Sequence, residues 1–161
     1  MPPKNNLIPT NFDLKEKNEE FSQSPNLIKS WSDADLWYKK DDKFGRPKSV
    51  VSMKIYTKDC DLGKTPESRV FVNLWAQIQD EYLREFNYMA NCANLSFNVT
   101  PMYDNINFEW SGFNDSMPTY IDESIERLLK MKDSSQEAAL KEIFNQVKEK
   151  LLADWKNFYY E

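Results

Sequence analysis

Between Val70 and Ser111 the hydrophobic period of this sequence changes once, from three-and-four to two, and that change restricts the fold more than any other feature. Val70, Phe71, Leu74, Trp75, Ile78, Tyr82, Leu83, Phe86, Met89, Ala90 and Ala93 recur at the spacing that gathers side chains on one face of a helix. Thr65-Pro66-Glu67 supplies the start: Thr65 as N-cap, Pro66 where a missing N–H is harmless, and Glu67 favourable to the helix dipole. One helix is therefore expected to about Ala93, with Asn94 suited to the left-handed position that closes it. Then Leu95, Phe97 and Val99 alternate with Ser96, Asn98 and Thr100. Asp104-Asn105 turns the chain, and Ile106, Phe108 and Trp110 alternate with Asn107, Glu109 and Ser111. Pro101 cannot donate to a ladder and marks an edge or a bulge.

The flanks extend this nucleus. Val51, Met53 and Ile55 alternate with Ser52, Lys54 and Tyr56, which predicts a strand with one buried face. Before it, Leu36 to Ser49 reads as strand, polar hairpin end, strand, with a polar loop from Asp59 to Lys64 on the other side. Met117 to Lys132 reads as a helix with Tyr120, Ile121, Ile125, Leu128 and Leu129 inward. Ser134-x-x-Glu137 forms a capping box for a last helix, whose stripe runs through Leu140, Ile143, Phe144, Val147, Leu151, Trp155 and Phe158. The order β-β-α-β-β-α-α predicts an α+β layer fold, an antiparallel or mixed sheet with helices packed on one face. Residues 1–35, with four prolines and the charged run Lys15 to Glu20, hold no period for long and read as a connecting segment. Its apolar anchors, Leu7 to Phe12 and Asn26 to Lys29, are suited to pinning an extended chain onto a folded surface. Residues 36–161 form the folded layer. Because Trp155, Phe158, Tyr159 and Tyr160 keep the last stripe apolar to its end, the chain is expected to be a segment of something longer.

Composition removes whole classes of function. A net charge of −5, with no stripe of Lys and Arg on one face, argues against nucleic-acid binding. No apolar run approaches the ~20 residues that span a bilayer, and the start lacks the centre of a signal peptide, so a soluble, cytoplasmic setting without a membrane partner is expected. The three Asn-x-Ser/Thr sequons at Asn94, Asn98 and Asn114 then carry no meaning. Histidine is absent, which rules out imidazole bases, Ser-His and Cys-His pairs and histidine metal motifs within these 161 residues. Cys60 and Cys92 are expected as reduced thiols and, without histidine partners, fall short of a closed zinc site. Asp41-Asp42 would be a carboxylate pair or a cation site if the two converged. Adjacent strand residues point to opposite faces, so a solvated hairpin end is the better reading.

An ordered set of short segments carries a resemblance. IPTNFDL (Ile8 to Leu14), PNLIKS (Pro25 to Ser30), LWYKKDDKFGRPKS (Leu36 to Ser49), EYLREFNYMANCANLSF (Glu81 to Phe97) and GFNDSMP (Gly112 to Pro118) together resemble the insulysin and pitrilysin-like branch of the inverted-zincin, or insulinase-family, peptidases. The family's hairpin pattern is matched at Leu36, Trp37, Tyr38, Lys39, Asp41, Asp42, Phe44, Pro47 and Lys48, with Ser49 for the usual Ala. Asn94 stands where the family's small junction carries Gly.

The resemblance implies four homologous α/β domains forming two half-shells around a closed chamber. Zinc is held by the first domain through a His-x-x-Glu-His motif and a distant Glu, the motif's own glutamate activating water. Residues 1–35 then correspond to the end of the second domain and residues 36–161 to the first half of the third. No catalytic, cofactor-binding or metal residue carries over to this range. Phe97, Phe108 and Trp110 are read as core packing rather than a peptide-binding wall. Asn98, Asn107 and Glu109, on the opposite strand faces, are the chamber- or solvent-facing candidates.

Two functions follow as expectations. The first is a non-catalytic middle-domain segment of an insulysin-like zinc metalloendopeptidase, lending chamber wall and interdomain surface around peptide substrates. Its partners would be the remaining domains of that peptidase. The alternative is a stand-alone or degenerate member, acting as a protein-binding or assembly module without peptidase activity. Under either, the isolated segment is expected to self-associate through an uncovered strand edge and helix face.

Overall fold

The predicted hairpin forms as strand β4 (Ser96–Pro101) and strand β5 (Asn105–Phe113), with Phe97 opposite Trp110 and Val99 opposite Phe108. The Met102 N–H donates to the Asn105 carbonyl at 2.8 Å and closes the turn through Tyr103 and Asp104. These elements come from a computed structural model that describes residues 4–14, 24–41, 43–58, 60, 62 and 64–158. Strand β3 (Lys48–Tyr56) lies antiparallel on the other side of β5, so the sheet order is β3-β5-β4. Val51, Met53 and Ile55 sit opposite Trp110, Phe108 and Ile106 and share their face.

Helices cover that face over β4 and β5. They are α1 (Pro66–Tyr82), α2 (Arg84–Cys92), α3 (Met117–Lys130) and α4 (Glu137–Asn157), the last packed on α1 rather than on the sheet. Between them and the strands lies a core that includes Leu83, Phe86, Ala90, Leu95, Phe97, Phe108, Trp110, Met117 and Tyr120. Phe97 and Trp110 stack with ring centroids 4.8 Å apart, and Phe86 meets Tyr120 at 5.4 Å. The fold is α+β, as expected, with an all-antiparallel main sheet.

Thr65 caps α1 as the sequence predicts. Its hydroxyl accepts the Ser68 N–H at 3.2 Å, while the Thr65 N–H donates to the Ser68 hydroxyl at 3.1 Å. The expected single helix is instead two. At Leu83 the backbone leaves helical geometry (φ −90°, ψ 2°) while its side chain enters the core at 1% exposure, and α2 starts at Arg84. The inward face of α1 is Val72, Ala76 and Gln79, and Phe71 is exposed. The apolar stripe misplaces this face because α1 has two neighbours, β4 and α4, and divides its apolar residues between them.

Four further expectations change. Leu36 to Tyr38 does not form a hairpin with Ser49 onward. Strand β2 (Asp35–Tyr38) pairs back with strand β1 (Asn26–Ser30) as a separate two-stranded sheet. A short turn explains the choice: the Trp31 N–H reaches the Ala34 carbonyl at 2.8 Å and the Ser30 hydroxyl donates to Asp35 at 2.6 Å, so β1 is the partner with the shorter connection. Strand β3 buries neither face fully, because the helices lie over β4 and β5 and leave this edge uncovered. The capping box at Ser134 is replaced by a 3-10 turn, Ser134–Gln136, in which backbone carbonyls of Asp133 and Ser134 already satisfy the amides a cap would serve. In α3, Tyr120 is buried, Ile121, Ile125 and Leu128 are half-buried, and Leu129 is exposed.

The anchor at the N-terminal end holds. Leu7 is buried in the core, the Asn5 side-chain amide donates to the Met89 carbonyl at 2.7 Å, and Phe12 packs edge-on to Phe113 at 5.2 Å. The charged run Lys15 to Glu20 lies outside the described residues.

Candidate functional site

Asp41 is the cap of a turn. Its carboxylate accepts the N–H groups of Lys43 at 3.0 Å and Phe44 at 3.1 Å, and these bonds hold its pKa below the usual aspartate value. Asp42 lies outside the described residues, so the pairing of the two carboxylates does too. Cys60 and Cys92 are free and exposed, and the Cys60 thiol donates to the Thr57 carbonyl at 3.3 Å. Among the described residues no group of three or more His, Cys, Asp or Glu side chains is placed to hold a metal ion. Tyr120 is spent on structure: its hydroxyl donates to the Asn87 side chain at 3.2 Å, and burial pushes the phenol's pKa well above the ordinary 10.0.

Phe97, Phe108 and Trp110 are all buried between strands and helices, as core rather than wall. Asn98, Asn107 and Glu109 come together on the opposite face. Asn98 sits across from Glu109, and the Ser52 hydroxyl donates to the Asn107 side-chain Oδ1 at 2.7 Å. This polar face continues around β4 into a cleft of about 500 Å³ whose other wall is α1, through Asn73, Gln77, Gln79 and Asp80. Gln79 is 3% exposed. Its amide nitrogen donates to the Ala76 carbonyl at 3.0 Å, and its Oε1 has no hydrogen-bond partner. A smaller cleft of about 320 Å³ opens at the hairpin tip, where the Arg69 guanidinium lies 4.9 Å from the Tyr103 ring.

The apolar stripe passes over Gln79, and so the residue is missed from sequence. The signal that finds it is spacing: Val72, Ala76 and Gln79 fall at i, i+4 and i+7, a face that contains a polar group.

The arrangement has cleft walls, strand edges and hydrogen-bonding side chains but no assembled acid, base or nucleophile among the described residues. Several proteins are similar to this chain in sequence. It is 28% identical over 128 residues to the insulin-degrading enzyme of Bos taurus, covering 80% of this chain and 12% of that protein. It is 29% identical over 131 residues to insulin-degrading enzyme-like 2 of Arabidopsis thaliana, covering 81% and 13%. To the A-factor-processing enzyme of Saccharomyces cerevisiae it is 26% identical over 168 residues, covering 100% and 15%. The chain therefore spans about an eighth of the length of these relatives. In fold it is similar to pitrilysin, whose crystal structure superposes with a TM-score of 0.72 at 22% identity over 91% of this chain and 15% of pitrilysin. The family model described as the middle or third domain of peptidase M16 matches residues 1–161, and the chain belongs to that family.

Proposed function

We propose that this chain is a non-catalytic wall segment of an insulysin-like zinc metalloendopeptidase. In this reading residues 1–35 connect from the preceding domain and residues 36–161 are the first half of the third. The observation that carries it is a conjunction: the family match spans the chain from 1 to 161, yet the chain has no histidine. The residues present therefore do not fit a zinc site of the inverted-zincin kind, and no hydrolytic step is assigned to them. What they supply is surface. The polar face of β4 and β5 fits a chamber lining, and the uncovered β3 and distal end of α4, where Trp155 and Phe158 are exposed, fit docking against the remaining domains. The name insulin-degrading enzyme, carried by a relative, describes action on a polypeptide hormone, which supports peptides as the enclosed substrates. Two exposed free thiols suit a reducing, cytoplasmic setting.

Cleavage of a fluorogenic peptide tests this directly. The full-length protein that contains these residues is expected to cleave it and to lose activity to a chelator. The 161-residue chain supplied with zinc is expected to show no turnover. Turnover by the 161-residue chain would sink the proposal.

A further inference from the structure

The Met102-to-Asn105 hydrogen bond fixes which backbone groups of β4 are used. In an antiparallel pair the bonded positions alternate, so Thr100, Asn98 and Ser96 exchange bonds with β5. Phe97 and Val99 then turn their N–H and C=O groups away from β5, and Pro101 adds a carbonyl alone. No further strand lies beyond β4 among the described residues. Val99 and Pro101 of this outward edge line the 500 Å³ cleft, which Gln79, its Oε1 unpartnered, lines too. A buried amide oxygen without a donor is costly, and an incoming N–H would satisfy it. The cleft lining contains the carboxylates of Asp80 and Glu109 and no Lys or Arg.

From this geometry we propose that the free edge of β4 binds an extended peptide as an added strand. Backbone groups of Phe97, Val99 and Pro101 pair with it, Gln79 accepts one further N–H, and Asp80 and Glu109 select a basic side chain. The proposal rests on the reading of this segment as a peptide-enclosing wall and names the part of the wall that holds the peptide. The opposite edge, β3, is less suited: it carries Lys48 and Lys54, charges that discourage strand addition.

The test uses a capped seven-residue peptide alternating Val and Lys, titrated into the 161-residue chain with amide hydrogen exchange as the readout. Protection is expected at the Phe97 and Val99 amides. N-methylating alternate peptide residues on one edge is expected to weaken binding at least ~10-fold, and methylating the other set to change it less than about twofold. A Glu-for-Lys peptide and the Gln79→Met variant should each bind several-fold more weakly. Absence of binding, protection at β3 in place of β4, or indifference to N-methylation on both edges would overturn the proposal. Full-length protein that cleaves peptides while β4 stays unprotected would sink the strand site and leave the peptidase reading standing.

Discussion

Asn94 and Gly112 meet where α2 hands the chain to β4. Asn94 has φ 56°, the left-handed region, and the sequence shows this because Asn is one of few non-glycine residues that tolerate it. Asn94→Ala is expected to cost about 1 kcal/mol and Asn94→Gly to be near neutral, read by urea denaturation. Gly112 has φ 144°, and a Cβ there would stand 2.6 Å from the Asn94 carbonyl oxygen and from Leu95 Cδ2. Gly112→Ala should therefore cost about 2–4 kcal/mol in the same assay, since backbone and a buried leucine must both shift. That constraint is not legible from sequence, because it depends on a contact between residues far apart in the chain. Asp115 accepts N–H bonds from Asn11 at 3.0 Å and Thr10 at 2.7 Å, which lower its pKa from 3.8. A depressed folded value means the carboxylate's hold on the N-terminal segment is complete above pH 3.8 and is lost as pH falls through the folded value. Hydrogen exchange at Thr10 and Asn11 should accordingly rise at acid pH, and Asp115→Asn should raise it at neutral pH and flatten the acid dependence.

At the scale of elements, the β4–β5 hairpin was legible with its partner, whereas β1 was read as connector and β2 as a strand with the wrong partner. The β4–β5 hairpin alternates cleanly because helices cover one side, and its aromatic face declares itself. Strands β1 and β2 are exposed on both sides, so no period marks them, and their pairing follows from the Trp31–Ala34 turn. The break at Leu83 was hidden for a related reason: the stripe continues through it, and only the backbone of one residue departs from the helix. Gln79 escaped because a polar residue on a helix is read as solvated, and here it is enclosed between α1 and β4. Local capping chemistry was the most transferable signal. Thr65→Ala should remove one hydrogen bond of the α1 capping box and cost about 1 kcal/mol by thermal or urea unfolding.

For the molecule as a whole, exposed apolar groups gather at two places. Val51, Met53 and Ile55 continue the core face onto an uncovered edge, and Trp155 and Phe158 protrude from the far end of α4. Such surfaces pair with like surfaces when their natural cover is missing. Light scattering on the isolated chain should therefore report a dimer or larger species, and a monodisperse monomer would count against this. Replacing Val51 and Ile55 with lysine should shift that species toward monomer, since charge on an edge strand opposes pairing. The central claim is that these residues are one segment of a larger zinc peptidase. Its most direct test is the intact mass of the native polypeptide captured from cells with an antibody to residues 66–157. A polypeptide several-fold heavier than 19.1 kDa is predicted, and a native chain of 19.1 kDa would contradict the account.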